Sequence, residues 1–136
     1  MKKEKDPIKG GAEPTKSELE ILQVLWQYGP NTVRFVNERL NEQKREVQYA
    51  STLKLMQIMV EKGLLVRDES QVKHVYSAAP EENKTKSWLL QRFVDNLFDG
   101  SVRSLMLHLL DSGKASPQEL EEIRKLLAQT KKKGGL

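Results

Sequence analysis

The sequence predicts a mainly α-helical protein: a winged helix-turn-helix with a small β-hairpin wing, followed by a C-terminal helical dimerisation domain. Three observations predict it. Between Pro14 and Pro80, three short helical patterns precede two β-rich pieces joined by a polar stretch. After Pro80 the apolar residues recur at helical spacing to the end of the chain. Those later stripes are broader than three short helices can bury among themselves.

The first helix starts at Thr15, with Glu18 three residues on, which is a capping box. Leu19, Leu22, Val24, Leu25 and Trp26 are its apolar residues, and Gly29-Pro30 stops it. Thr32 can cap a second helix carrying Val33, Val36 and Leu40. The third helix runs from about Tyr49 to Lys62 and ends at Gly63. Leu64–Arg67 and His74–Ser77 read as strands, with a polar tip from Asp68 to Lys73. Such a platform presents one helix to a DNA major groove.

Pro80-Glu81-Glu82-Asn83-Lys84 marks a junction, which places a winged-helix domain at 14–80 and a helical domain at 81–130. Leu89, Leu90, Phe93, Val94, Leu97 and Phe98 form one stripe, ending at Gly100. Val102, Leu105, Met106, Leu109 and Leu110 form a second, ending near Gly113. Ser116-Pro117-Gln118-Glu119 is a helix start, followed by Leu120, Ile123, Leu126 and Leu127. Burial against a second copy of the chain is the economical outcome, with Leu90, Phe93, Leu97, Leu105, Leu109, Ile123 and Leu127 as interface residues. A monomer with these helices folded back on the winged helix is the alternative. Residues 1–13, with Lys2, Lys3, Lys5 and Lys9, read as a flexible arm, and 131–136 as a basic tail that frays.

The 136 residues suit one domain or two small ones, and 38% apolar content is enough for a core. The net charge is +4, yet residues 14–79 hold nine Lys/Arg against eight Asp/Glu. A nucleic-acid reading therefore depends on where the charges sit. No cysteine is present, which excludes disulfides, thiolate chemistry and zinc fingers. No apolar run approaches the ~20 residues of a membrane span. The basic N-terminus lacks the hydrophobic segment of a secretory signal, so a cytoplasmic protein without membrane insertion is expected.

Catalytic chemistry has little footing. Neither His74 nor His108 has a partner at a metal-ligand spacing. His108 reads as a partly buried packing or interface residue and His74 as a wing residue near phosphate. Carboxylates alternate with Lys and Arg along helices, and there is no phosphate loop or nucleophile elbow. No enzyme activity, cofactor or metal is expected.

On the third helix, Thr52, Leu55, Met56 and Met59 fall on one face and point to the core. Ala50, Lys54, Gln57 and Glu61 lie opposite, with Tyr49 and Ser51 near the helix start. Ser51 and Gln57 can hydrogen-bond base edges, Ala50 can touch a thymine methyl, and Lys54 can pair with phosphate or guanine. Tyr49 offers a ring and a hydroxyl, while Glu61 is too far along to approach DNA. Ile58 is expected to pack against the wing or the second helix. Arg67, Lys73 and His74 suit a wing that follows the backbone, with Thr32 completing the contact set. The competing use of these residues is a solvated face, or a module for protein–protein assembly whose third helix meets a protein partner.

Glu18-Leu19-Glu20-Ile21-Leu22 through Trp26, Tyr49 through Met59 and Glu61-Lys62-Gly63-Leu64 resemble the BlaI/MecI/CopY family of bacterial transcriptional repressors. Gly100-Ser101, Ser104 through Leu109 and Leu120 through Leu127 resemble that family's dimerisation region. The resemblance covers roughly residues 12 to 130. It implies a homodimer on a palindromic double-stranded DNA operator, with a membrane sensor protease acting indirectly. It also implies two departures. The copper-responsive branch carries C-terminal cysteines that are absent here, and the β-lactam-responsive branch is cleaved at an Asn-Phe bond where this chain has His108-Leu109. Neither copper inactivation nor cleavage at 108–109 is therefore expected. Family members often carry Arg at the position of Ile58, whose helix-surface role does not carry over.

Overall fold

In the computed structural model of the chain, residues 6–132 are described, 131 and 132 by their backbone alone. Helix α1 (Lys16–Tyr28) begins with the expected capping box. The Thr15 hydroxyl accepts from the Glu18 amide at 3.2 Å, and Glu18 Oε1 accepts from the Thr15 amide at 2.8 Å. Two otherwise unpaired N–H groups are satisfied locally. Ile21, Leu22, Val24 and Leu25 are buried along one side.

Helix α2 (Val33–Gln43) is capped by Thr32, whose hydroxyl accepts from the Phe35 amide, and buries Val33, Val36 and Leu40. Helix α3 (Tyr49–Glu61) buries Thr52, Met56 and Met59. Leu55 is only half-buried. The end of α3 is a left-handed turn at Gly63, where φ is +82°. The Leu64 amide returns to the Met59 carbonyl at 2.8 Å and the Gly63 amide to Val60 at 3.1 Å. That pair of bonds closes the helix and drops Leu64 into the core beside Met59.

Strands β1 (Leu65–Asp68) and β2 (Val75–Ala78) pair antiparallel, with Leu65 opposite Ala78 and Asp68 opposite Val75. Each strand starts one residue later than the sequence pattern suggests, so His74 belongs to the loop rather than to a strand. A short bridge was not legible in the sequence. Asn31 and Tyr76 exchange two backbone hydrogen bonds, at 2.9 and 2.8 Å, which ties the α1–α2 loop to β2. Tyr76 is buried at that seam and belongs to the core.

The chain divides into two compact units, residues 1–90 and 91–136. The first extends ten residues beyond the junction at Pro80. Trp26 Nε1 donates to the Pro80 carbonyl at 3.0 Å, Thr85 is fully buried with its hydroxyl donating to Glu81, and Trp88 packs against the first core. The first turns of α4 (Glu82–Leu97) thus complete the winged-helix core. The flexible arm expected at 1–13 is also corrected in its second half. Ile8 is 3% exposed and lies in the core, and the Gly11 amide closes a turn onto the Ile8 carbonyl. A lone Ile among charged residues carries no periodic signal. The expectation for Lys2, Lys3 and Lys5 lies outside the described residues.

In the second unit, α4 stops at Asp99 and Gly100, both with positive φ. Ser101 caps α5 (Val102–Asp111) by accepting from the Ser104 amide. Ser116 and Glu119 form the reciprocal box that starts α6 (Pro117–Lys132). Helix α6 runs two residues into the stretch expected to fray, and 133–136 lie outside the described residues. Phe98 stacks edge-on with Phe93 and with the His108 ring, 5.2 Å away. His108 is exposed rather than partly buried, its Nδ1 2.9 Å from the Ser104 carbonyl. No residue of α5 is buried in the single chain.

One ion pair joins the ends of the first unit's helices. Glu18 is buried, and its Oε2 lies 2.7 Å from the half-exposed Lys62 ammonium. Burial by itself would raise the Glu18 pKa, but the Lys62 ammonium and the Thr15 donors outweigh it and hold the carboxyl below its ordinary value of 4.5. This contribution to stability is complete above pH 4.5 and is lost as pH falls through the lower folded value. Replacing Lys62 by Met leaves the buried carboxylate without its cation and should cost roughly 1–3 kcal/mol near neutral pH. The deficit should shrink as the pH is lowered from neutral through the depressed value of the Glu18 carboxyl, because both proteins then carry Glu18 protonated. Urea unfolding at neutral and acid pH checks it, and a deficit that does not change with pH would contradict this account.

Candidate nucleic-acid interface

The turn between α2 and α3 fixes the direction of α3, and two asparagines hold it. Asn41 grips Val47 from both sides: its Oδ1 accepts from the Val47 amide at 3.1 Å, and its Nδ2 donates to the Val47 carbonyl at 2.9 Å. Asn37 Nδ2 donates to the same carbonyl and to the Thr52 hydroxyl at 2.9 Å. Arg45 reaches Glu20 and Ser17 on α1, and Lys44 reaches Gln23. Asn37 and Asn41 were missed in the sequence. Their signal is two poor helix formers four residues apart on one helix, next to a turn.

The outer face of α3 then follows. Ala50, Ser51, Lys54, Gln57 and Glu61 are all exposed, and Tyr49 is 44% exposed. Ile58 shares this side. It is 37% exposed and outside the core cluster, so the expected packing against the wing or α2 is corrected. It stands two residues from Met56 and one from Met59, which already fill the space below the helix. Gln48 makes no side-chain cap, so the first amides of α3 remain open to a partner.

Charge placement answers the question that the near-neutral total leaves open. Five of the nine Lys/Arg in residues 14–79 are engaged: Arg39 with Glu42, Lys44 with Gln23, Arg45 with Glu20, Lys62 with Glu18 and Arg67 with Glu69. Lys16, Arg34, Lys54 and Lys73 have no ion pair among the described residues. Three of these four belong to α2, α3 and the wing.

Arg67, expected to suit a wing that follows the backbone, is tied to Glu69 at 2.7 Å. Tyr76 first, and then Glu69, push its pKa further up. Asp68 accepts from the Ser70 amide at 2.9 Å, which holds its carboxyl below the ordinary value and shapes the wing tip. Val72 beyond it is fully exposed.

A groove of about 320 Å³ lies between these elements. The α2 cap Thr32, Arg34 from α2, Tyr49 from α3, and Val72, Lys73 and His74 from the wing line it, together with Val33, Leu53 and Tyr76. It brings together four of the residues singled out in the sequence, Thr32, Tyr49, Lys73 and His74. It leaves Ala50, Ser51, Lys54, Gln57 and Arg67 outside its lining. Arg34 was missed. Its guanidinium lies 5.5 Å from the centre of the Tyr49 ring, a contact between residues fifteen apart that only the fold creates.

Among the described residues, no cluster of His, Asp or Glu is arranged to hold a metal ion, and no helix is long and apolar enough to cross a membrane.

Comparison with known proteins bears on this geometry. The sequence profile described as penicillinase repressor matches residues 14–129. The penicillinase repressor of Staphylococcus aureus is 27% identical over 123 residues, covering 89% of this chain and 95% of that protein. The methicillin resistance regulatory protein MecI of Staphylococcus aureus (strain N315) is 23% identical over 115 residues, covering 85% and 93%. The penicillinase repressor of Bacillus licheniformis is 22% identical over 116 residues, covering 85% and 89%. Among solved structures, a complex structure of hsRosR-S4 matches with a TM-score of 0.50 at 20% identity, over 91% of this chain and 95% of that one. That likeness concerns the fold alone.

Proposed function

Since the chain belongs to the penicillinase repressor family, whose members here are transcriptional repressors and not enzymes, we propose that it represses transcription as a homodimer bound to a palindromic double-stranded DNA operator. The observation that carries this reading is the set of unpaired cations, Arg34, Lys54 and Lys73, beside the exposed polar face of α3. Helix α3 enters the major groove with its N-terminal half leading. Ser51 and Gln57 read base edges, Ala50 meets a thymine methyl, and Lys54 and Tyr49 hold the backbone. Thr32, Lys73 and His74 follow the flanking strand, with Arg67 in a supporting part because Glu69 already engages it.

Helices α4, α5 and α6 supply the dimer in this reading. Leu90, Phe93, Leu97, Leu109 and Leu127 are exposed in the single chain, Ile123 stands at 36%, and Leu105 is half-buried. So much apolar surface on so small a unit favours a second copy of the chain as its cover. Two half-sites about one helical turn of DNA or a multiple apart are then read together. Control acts on these same helices, with a membrane sensor protease as the indirect agent that the family suggests.

The test is a salt-dependent gel shift on DNA from bacterial promoters. Lys54→Ala and Lys73→Ala should each reduce the salt slope by about one unit for every phosphate no longer neutralised. Ser51→Ala and Gln57→Ala should change the preference among operator variants by ~1–3 kcal/mol per base read, with the salt slope kept. If all four variants behave as the parent protein does, the assigned face is wrong. A module for protein–protein assembly would instead show no salt-dependent shift at all.

A further inference from the structure

The groove between α2, α3 and the wing has a charge character that its surroundings lack. Acidic and basic residues nearly balance over residues 14–79, yet no carboxylate lines the groove. Arg34, Lys73 and His74 do, and none of the three has an ion pair among the described residues. Arg34 is oriented by the Tyr49 ring, 5.5 Å away, a contact that positions the guanidinium while leaving its N–H donors available. Thr32 and Arg34 also sit at the start of α2, where the helix dipole favours negative charge. A concave site with three nitrogen donors from two sides and no acceptor of opposite sign is built for an anion.

The volume of about 320 Å³ exceeds what a lone phosphate fills, and apolar Val33 and Leu53 lie among its lining. Those features suit a phosphodiester, whose sugar presents C–H groups next to its charge. With α3 in the major groove, the DNA strand leaving it runs between the helix start and the wing. We propose that this groove seats one operator backbone phosphate at each half-site, clamped by Arg34 on one side and by Lys73 and His74 on the other. The proposal rests on the DNA-binding reading above and adds a residue and a position to it. It makes Arg34 the principal clamp, because its planar fork holds two phosphate oxygens at once.

The experiment scans the operator with single methylphosphonates, which remove one backbone charge at a time, against the full-length protein and its Arg34→Gln and Arg34→Lys variants. With the parent protein, one phosphate per half-site should prove sensitive beyond its neighbours. Arg34→Gln should weaken binding about tenfold or more and abolish the sensitivity at that phosphate alone, while Arg34→Lys restores it in part. Wild-type affinity in Arg34→Gln, or weaker binding with the phosphate pattern unchanged, overturns the proposal. Inorganic phosphate forms the second arm, titrated against chloride at equal ionic strength. If the parent protein binds no DNA but binds phosphate in an Arg34-dependent manner, the operator is not the source of the anion, and both the proposal and the DNA reading fail. If the parent binds DNA with no Arg34-dependent phosphate, only the proposal fails.

Discussion

If the protein is the dimer proposed above, replacing Leu97 by Asp should convert it to a monomer and lower its affinity for a two-half-site operator by about 10²–10⁴-fold. Leu97 is 64% exposed in the single chain, so the change leaves its own unit intact. In a dimer sealed by the α4 stripe, the carboxylate would be buried without a partner, which is the costliest outcome available to it. The affinity falls because the second half-site is no longer engaged at high effective concentration, and each winged helix binds on its own. Sedimentation and a gel shift on the same sample measure both effects. A Leu97→Asp protein that stays dimeric and keeps parental affinity would show that this stripe faces something other than a second copy. Leu109→Asp on α5 provides an independent check on the other stripe.

The second large effect is expected under α3. Met56 is fully buried and faces away from the exposed Ser51, Lys54 and Gln57. Met56→Ala should destabilise the first unit by about 2–5 kcal/mol, through reduced burial plus a cavity. Gln57→Ala, one residue on, should change stability by less than ~0.5 kcal/mol. The contrast separates the two faces of one helix by stability alone, without any DNA present. Urea unfolding with an unchanged slope is the measurement. Similar losses in both variants would mean that α3 is rotated from the orientation described.

Local chemistry made most of the fold legible. The Thr15–Glu18 and Ser116–Glu119 boxes, the Thr32 cap and the Gly63 stop depend on residues at most five apart, and four helix ends follow from them. The core face of α3 was also legible, because Thr52, Met56 and Met59 obey helical spacing. Ile58 was misjudged for the same reason. Period alone places it beside the core stripe, and only the packing below it decides that no space remains.

The candidate site was legible in its polar residues and not in their availability. Sequence distinguishes a lysine from a glutamate, but not a lysine that is paired from one that is free. Arg67 and Lys73 look alike in the wing, and the hairpin puts Glu69 on one of them only. Arg34 gives no signal on α2 until the fold brings Tyr49 beneath it.

The sequence by itself therefore determined the helices, the wing, the absence of thiol chemistry and the family to which the chain belongs, since these rest on residue type and short-range spacing. Tertiary structure decided the Asn31–Tyr76 bridge, the burial of Ile8, the extension of the first core to Trp88 and the collection of Arg34, Lys73 and His74 around one groove. The physical reason is range. Caps and turns are fixed by groups a few residues apart, whereas burial and ion pairing depend on neighbours that only the folded chain brings within a few ångströms.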